Sequence, residues 1–139
     1  MTNITPDSIF TRIIKGEIPC YKLYEDELVI AFLDINPVRR GHTLIIPKVQ
    51  VDYFVDVPSN YYQAVFSAAQ KLAPAIQKAL SVNRIGLSVV GTEVPHFHLH
   101  LIPIEKGEVG GIRQIGDQLE LAEQAEAIRL IFSQAQILG

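Results

Sequence analysis

The run Pro95-His-Phe-His-Leu-His-Leu-Ile-Pro103 constrains the fold more tightly than any other stretch of the sequence. From His96 to Leu101 histidine alternates with an apolar residue. An alternation of period two belongs to a strand, because successive side chains of extended backbone point to opposite faces. His96, His98 and His100 are therefore expected on one face, with Phe97, Leu99 and Leu101 anchoring the other in the core. Side chains two apart on a strand are separated by about 6–7 Å, so three imidazoles can address one polyatomic group such as a phosphate.

A single histidine is usually a satisfied core or surface residue, and the same holds for His42, the only histidine outside this run. Three in alternation point instead to a working site. A metal ion is the competing use, since two histidines two apart on a strand suit zinc. No cysteine lies near, no Asp or Glu lies within the strand, and Glu93 in the preceding turn is the only nearby carboxylate. No metal or other cofactor is expected, with a metal-dependent site on the same strand as the alternative.

The rest of the chain frames this strand. Asp7 or Ser8 can cap a short helix in which Ile9, Phe10, Ile13 and Ile14 recur at helical spacing before Lys15-Gly16 ends it. Residues 21–25 and 28–33 are rich in β-branched and aromatic residues and flank an acidic turn, which predicts a hairpin. Asn36-Pro37 and Arg39-Arg-Gly41 form a loop, and His42-Thr-Leu-Ile-Ile-Pro47 reads as a buried central strand with His42 at its first position. From Pro58 to about Leu80, Val65, Ala68, Ala69, Leu72, Ile76, Ala79 and Leu80 fall three or four apart, which predicts a long amphipathic helix with Pro74 able to kink it. Residues 85–90 and 97–102 are expected as an antiparallel pair joined by a tight connection over Gly91-Thr-Glu-Val-Pro95. Gly107 and Gly110-Gly111 mark a loop, and Leu121, Ala125, Ile128 and Phe132 define a C-terminal helix over about 117–136. Strands grouped together, with helices between and after them, predict an α+β fold with an antiparallel sheet of about five strands.

A length of 139 residues with 48% apolar content fits one domain spanning 1–139. A net charge of −3 offers no excess positive charge for a polyanionic backbone, so nucleic acid is not an expected partner. No apolar run reaches the ~20 residues of a membrane span, and the opening residues lack the pattern of a signal peptide, so the chain is expected to be cytoplasmic. Cys20, the only cysteine, excludes an intramolecular disulfide and reads as a small residue beside Pro19.

The motif His96-Phe-His98-Leu-His100-Leu-Ile102 resembles the signature of the histidine triad family of nucleotide hydrolases and transferases. The stretch from Ser8 to Pro19, Tyr24-Glu-Asp, Ala31-Phe-Leu-Asp-Ile-Asn-Pro37 and Gly41-His-Thr-Leu-Ile-Ile-Pro-Lys48 follow the family order, so the resemblance covers about residues 7–103. It implies a nucleotide hydrolase acting at an α-phosphate, with a nucleoside phosphoramidate, mixed anhydride or dinucleoside polyphosphate as substrate. His98 matches the nucleophile that forms a covalent nucleotidyl-histidine, its second ring nitrogen held by an acceptor close to His96. His100 matches the position facing the phosphate and leaving group, where an imidazolium could stabilise the transition state, and His96 and His42 match supporting positions. Asp34 matches the carboxylate that binds ribose hydroxyls. Phe10, Ile13, Ile18, Phe32 and Ile35 match the walls around a purine base, although by pattern alone they are equally core residues. The resemblance also implies a homodimer.

The sequence leaves the family pattern in three places. Ser8-Ile-Phe-Thr11 stands where many members carry the Cys-x-x-Cys of a zinc site, so structural zinc is not expected. Thr92 stands where a glutamine usually meets the phosphate or leaving group, and the stretch before it, Gly86-Leu-Ser-Val-Val-Gly91, is shortened. These changes bear on substrate choice and leave open a nucleotide-binding regulatory protein with weak hydrolysis.

Overall fold

A computed structural model describes residues 5–108 and 117–138. The elements run α1 (Ile9–Ile14), β1 (Lys22–Glu25), β2 (Val29–Leu33), β3 (Thr43–Pro47), a 3-10 turn (Phe54–Asp56), α2 (Ser59–Leu80), β4 (Arg84–Ser88), β5 (Leu99–Ile104) and α3 (Gln118–Leu138). The strands form one antiparallel sheet in the order β1-β2-β3-β5-β4, so the expected α+β architecture of five strands, one long helix, a short N-terminal helix and a C-terminal helix is what forms. The loop expected at Gly110-Gly111 lies outside the described residues.

The two faces of the sheet are covered differently, and β2 shows why. All five of its residues are buried: Val29, Ala31 and Leu33 pack with α2, while Ile30 and Phe32 join Phe10, Leu44 and Ile46 on the α1 side. On the first side, Val65, Leu72 and Ile76 of α2 are fully buried, each contributing roughly 1.5–3 kcal/mol of burial. Leu121, Ala125 and Ile128 of α3 extend that layer, as their spacing predicts. Helix α2 runs unbroken through Pro74. Pro74 and Gln70 are both exposed, so the carbonyl that loses its N–H partner lies where water can reach it.

The short α1 covers only part of the other face. Ser8 is its N-cap, with Oγ accepting from the Thr11 N–H at 3.0 Å, and the helix gives way to Gly16 at φ +79°. What α1 leaves uncovered is where the histidines emerge.

The histidine run needs one correction. The hydrogen-bonded ladder of β5 begins at Leu99, so His96 and His98 lie in the approach to the strand and only His100 lies on it. The cause is long-range: the Phe97 N–H donates to the Val51 carbonyl at 2.7 Å, outside the sheet. Ser88 pairs with His100, so the connection spans residues 89–98 and is longer than the tight turn expected over 91–95. The alternation nevertheless holds, since Phe97, Leu99 and Leu101 enter the core beneath α2 while the histidines take the opposite side.

Candidate active site

His98 lies at the centre of the arrangement, 4% exposed and flanked by His96 at 0% and His100 at 8%. Its Nδ1 is 2.7 Å from the backbone carbonyl of His96. A carbonyl can only accept, so in the neutral ring Nδ1 carries the proton and Nε2 keeps its lone pair. The acceptor expected close to His96 is thus the carbonyl of His96 itself.

His100 is fixed by a chain of donors that starts in the loop between β2 and β3. The Val38 N–H donates to His42 Nδ1 at 3.1 Å, which places the His42 proton on Nε2. That nitrogen lies 2.9 Å from His100 Nδ1, which therefore accepts and leaves an N–H on His100 Nε2. The Val38 amide, on which the chain of tautomers depends, leaves no trace in a side-chain pattern.

The chain holds His42 from several directions. Gly41, at φ +82°, turns the backbone into β3, and a Cβ there would lie 2.9 Å from Leu80 and 3.2 Å from Pro103. Its N–H donates to Gln124 Oε1 of α3 at 3.0 Å, which ties the C-terminal helix to the site loop. The Asp34 N–H donates to the His42 carbonyl at 2.8 Å, and Asp34 Oδ2 lies 3.7 Å from His42 Nε2. Asp34, His42 and His100 can bring one donor atom each within 4.8 Å of one another. A carboxylate therefore does stand beside the histidines, supplied by the end of β2 rather than by their own strand.

His96 is held on both ring nitrogens. Nε2 donates to the Pro47 carbonyl at 3.0 Å, and Nδ1 lies 2.8 Å from Ser8 Oγ and 3.3 Å from Thr11 Oγ1. Burial holds its pKa below the ordinary 6.5, partly offset by the bond to Pro47. The surrounding groups, two hydroxyls and the Gln50 amide, are not the Cys and His donors that zinc takes, and they are bonded to one another, so they do not fit the family's structural zinc.

Beside the histidines opens a cavity of about 260 Å³. Phe10, Ile13, Ile18, Phe32 and Ile35, expected either as core or as base walls, all line it, together with Asp34, His98 and His100. The Phe10 ring meets those of Phe32, His96 and His98 edge-on at 5.8, 5.8 and 5.0 Å. Ile9, Pro19, Leu33, Leu44 and Val94 complete the apolar lining, and Cys20 lines it too, its thiol pKa raised by burial. Thr92 does not reach this cavity. It lines a smaller one of about 130 Å³ with Glu93, His98 and His100, and Glu93 borders both.

An apolar slot, a carboxylate at its rim, a ring nitrogen that keeps its lone pair and a neighbouring N–H donor thus stand side by side, an arrangement able to support nucleophilic chemistry. The chain belongs to the histidine triad family: the HIT domain model matches residues 15–107. It is 38% identical over 122 residues to an uncharacterised HIT-like protein of Borreliella burgdorferi, covering 83% of this chain and 87% of that one. It is 39% identical over 105 residues to an adenosine 5′-monophosphoramidase of Saccharomyces cerevisiae, covering 75% of this chain and 66% of that protein. A solved Hit-like protein of Bartonella henselae superposes with a TM-score of 0.83 at 34% identity, over 93% of this chain and 99% of that chain.

Proposed function

We propose that this protein is a nucleotide hydrolase that cleaves at the α-phosphate through a covalent nucleotidyl-histidine on His98. The observation that carries the reading is the 2.7 Å contact from His98 Nδ1 to the His96 carbonyl, which leaves on Nε2 the lone pair that a nucleophile needs. In this reading the base of a purine nucleotide enters the slot walled by Phe10, Ile13, Ile18, Phe32 and Ile35, and Asp34 accepts from the ribose hydroxyls. His98 Nε2 bonds to phosphorus while the leaving atom departs with its electron pair, and His100 Nε2–H donates a hydrogen bond on the leaving side. Water then cleaves the phosphorus–nitrogen bond and restores His98. Nucleoside phosphoramidates, mixed anhydrides and dinucleoside polyphosphates all fit this scheme, and the name of the yeast relative favours the first.

The test is to incubate the protein with adenosine 5′-phosphoramidate and with a dinucleoside polyphosphate, with and without chelator, beside His98→Ala. Turnover should be chelator-insensitive and fall by on the order of 10⁴-fold in the variant. Full activity in His98→Ala would sink the assignment. Loss of turnover with chelator would favour a metal-dependent reaction at Asp34, His42 and His100. AMP binding without turnover of either substrate would favour the regulatory reading.

We further read the chain as a single domain that works as a homodimer. Strand β4 is a sheet edge, and a groove beside it is lined by Tyr62, Phe66, Ala73, Ile85 and Leu87, with Leu87 54% exposed. A second copy, adding its own β4 edge, would cover this face. Sedimentation should give twice the chain mass and Leu87→Glu should give the monomer; a monomeric wild-type protein would refute the dimer. The net charge of −3 and the absence, among the described residues, of a helix long and apolar enough to cross a membrane support a cytoplasmic enzyme without nucleic-acid or membrane partners. Cell fractionation that placed it with membranes would contradict that.

A further inference from the structure

Behind His96, side chains from three distant stretches of the chain meet in one cluster, and Ser8, Thr11 and Gln50 in it do not line the nucleotide cavity. Gln50 Oε1 accepts from the Ser8 N–H at 2.7 Å and from the Thr11 hydroxyl at 2.6 Å, and Gln50 Nε2 donates to the Pro6 carbonyl at 2.9 Å. Ser8 Oγ accepts from the Thr11 N–H. Because His96 Nε2 must donate to the Pro47 carbonyl, its Nδ1 is an acceptor, and the Ser8 hydroxyl is the donor at 2.8 Å. Every proton in the cluster then has one direction.

We propose that Ser8, Thr11 and Gln50 are positioning residues for the nucleophile, acting on His98 through the backbone of His96. The inference rests on the hydrolase reading above for its kinetic consequence, but its geometric content stands separately. Two routes lead from the cluster to the same peptide group. The first is the His96 ring, held at Nδ1 by Ser8 and at Nε2 by Pro47. The second is Val51, next to Gln50, whose carbonyl takes the Phe97 N–H at 2.7 Å. The Phe97 N–H and the His96 carbonyl belong to one planar peptide unit, so pinning the first orients the second. That carbonyl is the group that fixes the His98 tautomer at 2.7 Å. The hydroxyls and amide thus do for this histidine what an outer partner does for a ligating one: they set ring orientation and proton position from behind.

The experiment compares Thr11→Val, which keeps shape but loses the hydroxyl, with Thr11→Ser, which restores it, and adds Ser8→Gly, since glycine remains an acceptable N-cap. Each is assayed for kcat and KM on adenosine 5′-phosphoramidate, for thermal unfolding, and by nitrogen NMR of the histidine rings for the His98 tautomer. Thr11→Val and Ser8→Gly should lower kcat by about tenfold or more, leave KM within about twofold, and turn the single His98 Nδ1–H tautomer into a mixture. Thr11→Ser should restore both. The proposal is overturned if folded Thr11→Val and Ser8→Gly keep the wild-type kcat and tautomer, or if activity falls only with the folded fraction while the tautomer is unchanged. Should the wild type turn over no substrate, the hydrolase reading fails, and the NMR comparison alone decides whether the cluster sets the His98 tautomer.

Discussion

The two ends of the histidine run are buried alike but organised in opposite ways. At the His96 end the ring is enclosed, and both its nitrogens are bonded within the protein to Ser8 and Pro47. At the His100 end one nitrogen is fixed from behind by His42, and the residue borders both the larger cavity and the smaller one beneath Thr92 and Glu93. Burial alone therefore does not separate the two. The surroundings do: a second hydrogen bond, to the Pro47 carbonyl, closes off the ring at the His96 end, and two cavities border the residue at the His100 end. His98, between them, takes its tautomer from the closed end and meets the same cavities as His100.

Breaking the open end should give the largest effect. His42→Ala removes the donor that keeps the His100 proton on Nε2, and kcat for adenosine 5′-phosphoramidate should fall by on the order of 10²-fold. AMP affinity should change little, and an equal loss in AMP binding would show instead that His42 shapes the base slot. A smaller effect is expected at the closed end, read as stability against pH. The pKa of His96 is held below the ordinary 6.5 in the folded chain, so the unfolded chain takes up a proton first as pH falls through that value. This contribution is constant above about pH 6.5 and destabilises the fold progressively below it, until the folded-state pKa is reached. Melting temperatures should thus drop between about pH 7 and pH 5.5, and the drop should shrink in His96→Gln. A drop of the same size in both proteins would assign the proton to another group. The smallest effect is expected in the exposed turn. Thr92→Gln lengthens a side chain that lines only the smaller cavity, so it should alter the ratio of turnover on phosphoramidate and dinucleoside polyphosphate by less than about tenfold and leave AMP binding unchanged. A shift in AMP binding would place Thr92 in contact with the nucleotide itself.

How far each feature was legible follows from how local its cause is. The face taken by the three histidines, the N-cap at Ser8 and the apolar stripe of α2 are each set by residues within a few positions of one another, and all three form as their spacing predicts. The start of β5 is not. Two positions of the expected strand stay outside the ladder because Phe97 bonds to Val51, forty-six residues earlier, and nothing in the run itself signals that bond. The apolar walls of the cavity were legible as residues but ambiguous in role. Phe10 and Phe32 belong to the α1-side core and to the slot at the same time, because the slot is a core edge left open.

By itself the sequence determined the alternation that delivers three imidazoles to one side, the elements around them and, through the resemblance, the family and the residue matched to the nucleophile. Period-two and helical spacings are properties of neighbouring residues, so they survive in a one-dimensional record. Tertiary structure decided the protons. The tautomers of His98, His42 and His96 depend on the His96 carbonyl, the Val38 N–H, the Pro47 carbonyl and the Ser8 hydroxyl. Three of those four are backbone groups, which every residue type but proline's missing N–H supplies alike, so only their placement by the fold makes them specific.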